Sequence, residues 1–176
     1  MKRPAAPANR KDPRPAPRPA ARQVPEKVMP PNEILDGHLW IGGAPVDYAW
    51  ARACGIDVVV DVSDPDQQPD PRDVQDLDYR KCPLTDGDEL PDEEQVAELV
   101  RHVVDSVRNG RRVLVHCSFG KNRSGFVVTL AVRELLGVTG AEAVTHVRSR
   151  RHRAVNNKTF AAYVESLPVP ERVTAA

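Results

Sequence analysis

Residues 112–136 constrain the fold of this chain more than any other segment. Arg112-Val113-Leu114-Val115 is a short β-branched apolar run, His116 to Gly125 is polar and glycine-punctuated, and Phe126 to Leu136 is apolar and long enough for a buried helix. A buried strand, a tight loop and a buried helix in succession require a sheet with helices packed on it. The loop's backbone N–H groups then gather at a helix N-terminus, a geometry that suits a phosphate-sized dianion. Cys117 lies in the same positive field, which favours its ionised, nucleophilic form. Arg123, six positions on, offers a planar fork to two phosphate oxygens.

The rest of the chain alternates strands and helices. Ile34-Leu35 and Leu39-Trp40-Ile41 bracket Asp36-Gly37, a hairpin signal. Asp47 to Cys54 reads as a short helix closed by Gly55, Ile56 to Val62 as a buried strand, Ser63 to Asp76 as a polar, proline-punctuated loop, and Leu77 to Leu84 as another strand. Asp92, with Gln95 three residues on, predicts a capping box. The helix it opens is amphipathic: Val96, Leu99, Val100, Val103, Val104 and Val107 share one face, and Gly110 ends it. Further helices are expected to about Leu136, from Ala141, and from Asn157 to Leu167. The expected fold is α/β, a single domain with a central mixed, mostly parallel sheet flanked by helices. Its Cys117 loop sits at the carboxyl end of a strand, where open α/β sheets place ligands.

Charge sums to zero but is unevenly placed. Residues 1–31 carry eight Lys/Arg against two acids and nine of the seventeen prolines, without apolar periodicity. Such a segment buries too little surface to offset its ordering entropy, so a disordered basic tail is expected over 1–31. A folded domain over 32–168 and a short tail over 169–176 complete the expected organisation. The basic tail reads as a solubilising extension, ahead of contact with nucleic acid, anionic membrane or an acidic partner. No stretch suits a signal peptide or a membrane span. Three separated cysteines, Cys54, Cys82 and Cys117, fit a reducing compartment, so a cytoplasmic protein is expected. They have no histidine pair beside them and match no metal-ligand spacing, and no cofactor is expected. Cys54 and Cys82 read as core residues, with a resolving role for Cys82 in redox control as the alternative.

His116-Cys117-x-x-Gly120-x-x-Arg123-Ser124 resembles the signature of the cysteine-dependent protein tyrosine phosphatase superfamily. Thiolate chemistry on a phosphoester also needs an acid to protonate the leaving oxygen, and the acidic turn 85–91 is its natural source. Pro83-Leu84-Thr85-Asp86-Gly87 resembles the acid-bearing stretch of dual-specificity phosphatases, and Asp86 precedes Cys117 by 31 residues. Acid before cysteine, in a core this short, is similar to the compact dual-specificity group. The resemblance implies Cys117 as nucleophile, Arg123 as phosphate clamp, Asp86 as general acid with Asp88 as runner-up, and Ser124 as the hydroxyl assisting sulfur departure. A helix N-cap is the alternative for Ser124. Ser118, Phe119, Gly120, Lys121 and Asn122 would join Arg123 in holding the phosphate. His116 would tune the cysteine or simply sit in the core. Asn157, with Phe160, is similar to an element opening the last helix, where it caps or supports the loop. Arg148, Arg150, Arg151 and Arg153 read as a solvated helix end.

The implied activity is a metal-free protein-tyrosine or dual-specificity phosphatase whose partner is a phosphorylated protein, with nucleic acid not expected. Lys121 and Asn122 depart from the commoner loop. Lys121 resembles lipid-phosphatase loops and Asn122-Arg123 resembles RNA 5′-triphosphatase loops, so RNA, phosphoinositide or sugar phosphate stands as the alternative substrate. A silent phosphate-binding module is the third reading, disfavoured by the intact cysteine, arginine and acid.

Overall fold

The computed structural model describes residues 30–171; residues 1–29 of the expected tail, and residues 172–176, lie outside it. The elements are β1 (Asn32–Leu35), β2 (Leu39–Gly43), α1 (Tyr48–Ala53), β3 (Val58–Asp61), α2 (Pro71–Val74), β4 (Asp78–Lys81), α3 (Glu93–Arg108), β5 (Val113–Cys117), α4 (Arg123–Leu136), α5 (Gly140–Arg150) and α6 (Lys158–Ser166). One five-stranded sheet runs in the order β1-β2-β5-β3-β4. β1 pairs antiparallel with β2, and the remaining pairs are parallel.

β5 is the central strand and every residue in it is buried. Successive side chains leave a strand on opposite faces, and here both faces are covered. Val113 and Val115 join the large cluster formed with α3, α4, α5 and α6. Leu114 joins the smaller cluster with Trp40, Tyr48, Ala51, Ile56 and Val59. That two-sided covering is why the strand reads as an unbroken apolar run. It also places Cys117 at the carboxyl end of the middle of the sheet.

The architecture matches the expected α/β class, with local differences. β3 and β4 are shorter than the strands expected over 56–62 and 77–84, although backbone bonds run on past them, from the Cys82 N–H to the Asp61 carbonyl and from the Leu84 N–H to the Val62 carbonyl. The polar stretch 63–76 contains the one-turn helix α2, where the Asp70 carboxylate accepts from Arg72 N–H and Pro71 opens the turn. The capping box at α3 is only half formed. Asp92 accepts from the Gln95 backbone N–H, but the Gln95 side chain turns away to Cys82 Sγ and the Pro83 carbonyl. It thereby ties α3 to the strand end leading into the acidic turn. Cys82 packs against the large cluster and Cys54 against the small one.

Candidate active site

The loop after β5 is built around Cys117, which is buried. Its Sγ accepts from the Gly120 backbone N–H at 3.2 Å and lies 3.3 Å from Ser124 Oγ. Gly120 has φ of +65°, and a Cβ there would fall 2.4 Å from the Gly42 backbone. Only glycine permits both that dihedral and that approach. Asn122 is the N-cap residue of α4 but makes no side-chain cap. The first-turn N–H groups are thus left free of side-chain acceptors, as an anion site requires. Ser124 lies inside the helix, so its N-cap reading is corrected: its hydroxyl faces the sulfur.

Arg123 is buried, and two side chains hold its guanidinium. Nη1 donates to Asp64 Oδ1 at 2.8 Å and Nη2 to Ser118 Oγ at 2.7 Å. Arg123 also holds the Asp64 carboxyl below the ordinary aspartate range, assisted by Ser118. Asp64 reaches this position through a polar framework at the strand ends. Lys81, paired in register with Asp61 across β3 and β4, donates to Asp61 Oδ2, Ser63 Oγ and the Gln67 carbonyl. These bonds pin residues 61–67 beside the loop.

Asp86 is exposed, yet both its carboxylate oxygens are held. Asn122 Nδ2 donates to one at 3.0 Å and Asn157 Nδ2 to the other at 2.9 Å. Asn157 also donates to the Gly87 carbonyl and caps α6 through the Thr159 and Phe160 N–H groups. Asn157 therefore caps α6, and its side chain also ties that helix to the Asp86 turn. Asp88 presents only its backbone carbonyl, to Thr159 Oγ1. The structure brings Asp86, not the Asp88 carboxylate, to the loop.

Among the other loop residues, Ser118 is buried, Lys121 and Asn122 are half-buried, and Phe119 is 58% exposed at the lip. His116 is buried, and burial pushes its pKa below the ordinary histidine value, so it is neutral near pH 7. Among the described residues neither ring nitrogen meets a hydrogen-bond partner, and Nε2 lies 3.7 Å from Asp61 Oδ2.

The dual specificity phosphatase catalytic-domain model matches residues 39–166, most of the chain and all of this site. The chain belongs to that family. It is 33% identical over 89 residues to dual specificity protein phosphatase 1 of Arabidopsis thaliana, covering 51% of this chain and 45% of that protein. It is 28% identical over 92 residues to dual specificity protein phosphatase 15 of Homo sapiens, covering 52% and 31% respectively. The match thus spans less than half the length of each of these relatives. Among solved structures, a mouse putative dual specificity phosphatase complexed with zinc tungstate superposes with TM-score 0.67 at 27% identity, covering 77% of this chain and 84% of that one.

Two residues of the site escaped sequence reasoning. Asp64 sits in a loop rich in aspartate and proline, and nothing in its local sequence separates it from its neighbours. Arg151 reads in the sequence as part of a solvated helix end, and for Arg151 that reading is corrected. Arg151 is fully buried and donates to the Gly120 carbonyl, while Arg148 donates to the Ala154 and Val155 carbonyls. A signal existed: Arg151 follows Val144 and Val147 at helical spacing, on the stripe that α5 buries. Arg148, Arg150 and Arg153 are exposed, as a solvated end implies.

Proposed function

We propose that this chain hydrolyses phosphomonoesters through a cysteinyl-phosphate, acting as a protein-tyrosine or dual-specificity phosphatase on phosphorylated proteins. One arrangement carries the reading: a buried thiol at the base of an uncapped helix N-terminus, beside Ser124 and Arg123, with Asp86 tied to the rim of the same loop.

Cys117 thiolate attacks phosphorus, the S–P bond forming as the bond to the leaving oxygen breaks. The N–H groups of residues 118–123 and the Arg123 guanidinium hold the phosphoryl oxygens as their charge develops. Asp86 gives its proton to the leaving oxygen. In the second step Asp86 carboxylate takes a proton from water, the water oxygen attacks phosphorus, and the S–P bond breaks. Ser124 hydroxyl stabilises the departing sulfur and inorganic phosphate leaves. The domain that performs this spans residues 32–168, in a cytoplasmic setting.

Protein substrates are favoured by the surroundings of the loop. A cleft of about 670 Å³, lined among others by Pro45, Tyr48, Gln67 and Phe119, runs beside it and has room for the residues flanking a phosphorylated side chain. The mixed apolar and polar lining suits a peptide. The RNA-like reading rested partly on Asn122, and the position now has another explanation. Asn122 holds Asp86 and accepts from the Asn156 and Asn157 N–H groups, duties that any substrate would require.

A substrate panel tests the proposal. Phosphotyrosyl and phosphoseryl peptides, RNA 5′-triphosphate and phosphoinositides are assayed with the wild type and with Cys117→Ser as a trap. Hydrolysis of phosphopeptides, with the trap retaining them, is expected. Turnover confined to RNA or lipid substrates would move the chain to the alternative class.

A further inference from the structure

Arg151 is an unusual residue to bury completely. Its Nε donates to the Gly120 carbonyl at 2.9 Å and Nη2 to the Phe119 carbonyl at 3.4 Å. At the other end Nη1 donates to the Pro30 carbonyl at 2.8 Å and to Asn32 Oδ1 at 2.7 Å. All four acceptors are neutral, so these bonds satisfy the donors without matching the charge. A buried cation without a counter-charge is costly, and an apolar side chain would fill the space more cheaply. The cost is understandable where an anion forms next to it. Burial lowers the Arg151 pKa from its ordinary value and the Cys117 charge opposes that shift, so the guanidinium feels the sulfur.

The geometry of the two loop carbonyls says more. In a planar trans peptide the C=O and the following N–H point in opposite directions. Arg151 holds the Phe119 carbonyl on the outer side of the loop, and the Gly120 N–H of that same peptide points inward to Cys117 Sγ at 3.2 Å. Holding the Gly120 carbonyl outward turns the Lys121 N–H inward by the same rule. Gly120 makes the contact possible: a Cβ there would fall 2.5 Å from Arg151 Nη2.

We infer that Arg151 is a positioning residue of the phosphatase reaction: its fork fixes two consecutive peptide planes of the loop so that their N–H groups face the phosphoryl group. It touches neither substrate nor sulfur and acts through the backbone of residues 119–121. The inference rests on the proposed cysteine-phosphatase reading and adds to it the source of the loop's preorganisation. Asn32 and Pro30 anchor the far end of the guanidinium, so the segment leading into β1 contributes to the active site from outside it.

The test separates positioning from folding. Orthovanadate affinity is measured in the Cys117→Ser background, where no turnover is needed, and p-nitrophenyl phosphate kinetics in the Cys117 background. Arg151→Met is expected to weaken orthovanadate binding by about tenfold or more, from two misdirected N–H donors. It should lower kcat/KM by about 10²-fold, the cost of a misplaced reacting geometry. Arg151→Lys keeps the charge but loses the fork, and should stay within about threefold of Arg151→Met. Arg150→Met, on the solvated side, should match the wild type. If Arg151→Met does not fold, Asn32→Ala removes one distal anchor only and should lower kcat/KM and orthovanadate affinity together, by about threefold.

A folded Arg151→Met, or in its absence Asn32→Ala, that melts earlier yet keeps both kcat/KM and orthovanadate affinity would make Arg151 merely structural and overturn the inference. Full recovery by Arg151→Lys would assign the effect to charge and also overturn it. A wild type that binds orthovanadate but turns over no phosphoester would instead strike the proposed function and leave the orthovanadate comparison standing. Failure of Cys117→Ser to bind orthovanadate would remove both.

Discussion

The Cys117 loop and the Asp86 turn, which the proposed mechanism joins in one reaction, are built differently. The loop is buried at its base, around Cys117, Ser118 and Gly120; it begins on the central strand, ends in a helix, and is braced by Arg151 and Asp64. The turn at 85–91 is largely exposed and is held by three side chains, Asn122 from the loop, Asn157 at the cap of α6 and Thr159 in its first turn. The first region must hold N–H groups in place before substrate arrives, because preorganised dipoles stabilise developing charge without reorganising. The second must give up and recover a proton and admit substrate and water. Few exposed hydrogen bonds and little apolar burial leave it near the low-stability end of the molecule. The same reaction thus draws on a rigid element and a lightly tethered one.

Changes to the loop should have the largest effect. Cys117→Ser is expected to lower turnover by ~10⁴-fold or more, as loss of a nucleophile does elsewhere, while orthovanadate still binds through Arg123 and the backbone. Retention of more than a few per cent of the rate would remove the thiol mechanism. For the turn, Asp86→Asn should lower the rate on tyrosyl or alkyl phosphates by ~10²-fold or more, with a smaller loss on p-nitrophenyl phosphate, whose leaving group needs little protonation. The basic limb of its pH–rate profile should flatten. Asp88→Asn, lacking a side-chain link to the loop, should show neither change, and the opposite pattern would transfer the acid role to Asp88.

Asp64 tests how far the loop's rigidity extends. Asp64→Asn loosens Arg123 and should lower kcat/KM by ~10-fold, within the range for a displaced phosphate clamp. Its stability effect has a definite pH sense. The folded carboxyl lies below its ordinary value because of Arg123, so the stabilisation is complete above the unfolded carboxyl pKa of ~4 and is lost as pH falls through the lower folded value. Thermal unfolding of wild type and Asp64→Asn should therefore differ at pH 7, and the difference should shrink once pH falls below the unfolded value of about 4 and vanish below the lower folded one. A difference that widens on acidification would contradict the pairing.

The smallest expected effect is on the tether. Asn157→Ala removes one donor to Asp86 and one to Gly87, and should cost roughly 3- to 10-fold in kcat, the worth of about one net hydrogen bond. The loss should be smaller than for Asp86→Asn and should leave orthovanadate affinity unchanged. If orthovanadate binding falls with it, the turn and the loop form one rigid unit and the contrast between them is overstated.

Much of this molecule was legible without coordinates, and particular residues show why. β5, the loop and α4 are contiguous, and their roles follow from strand period, helix period and the chemistry of a thiol six residues before an arginine. The turn between β4 and α3 was legible as the source of an acid, but only the resemblance of Pro83 to Gly87 to the dual-specificity stretch singled out Asp86 over Asp88 in it. The half-formed box at α3 was not legible, because a glutamine at the right spacing serves Cys82 and Pro83 only when those atoms are folded against it. Asp64 was hidden for a related reason: among several aspartates in one polar loop, only the Lys81 framework selects the one that meets Arg123.

The sequence by itself determined the α/β class and singled out Cys117, Arg123 and Asp86 as the candidates for nucleophile, phosphate clamp and acid, because each choice depends on residue type and pattern at short range. Tertiary structure decided which side chains brace them. Asp64, 59 residues from Arg123, and Arg151, 31 residues from Gly120, gain their meaning from being brought into contact, and Arg151 from losing all its solvent. Burial changes what a charged side chain does. In water Arg151 is one more cation of a helix end; enclosed against two carbonyls, it orients the backbone of the phosphate loop.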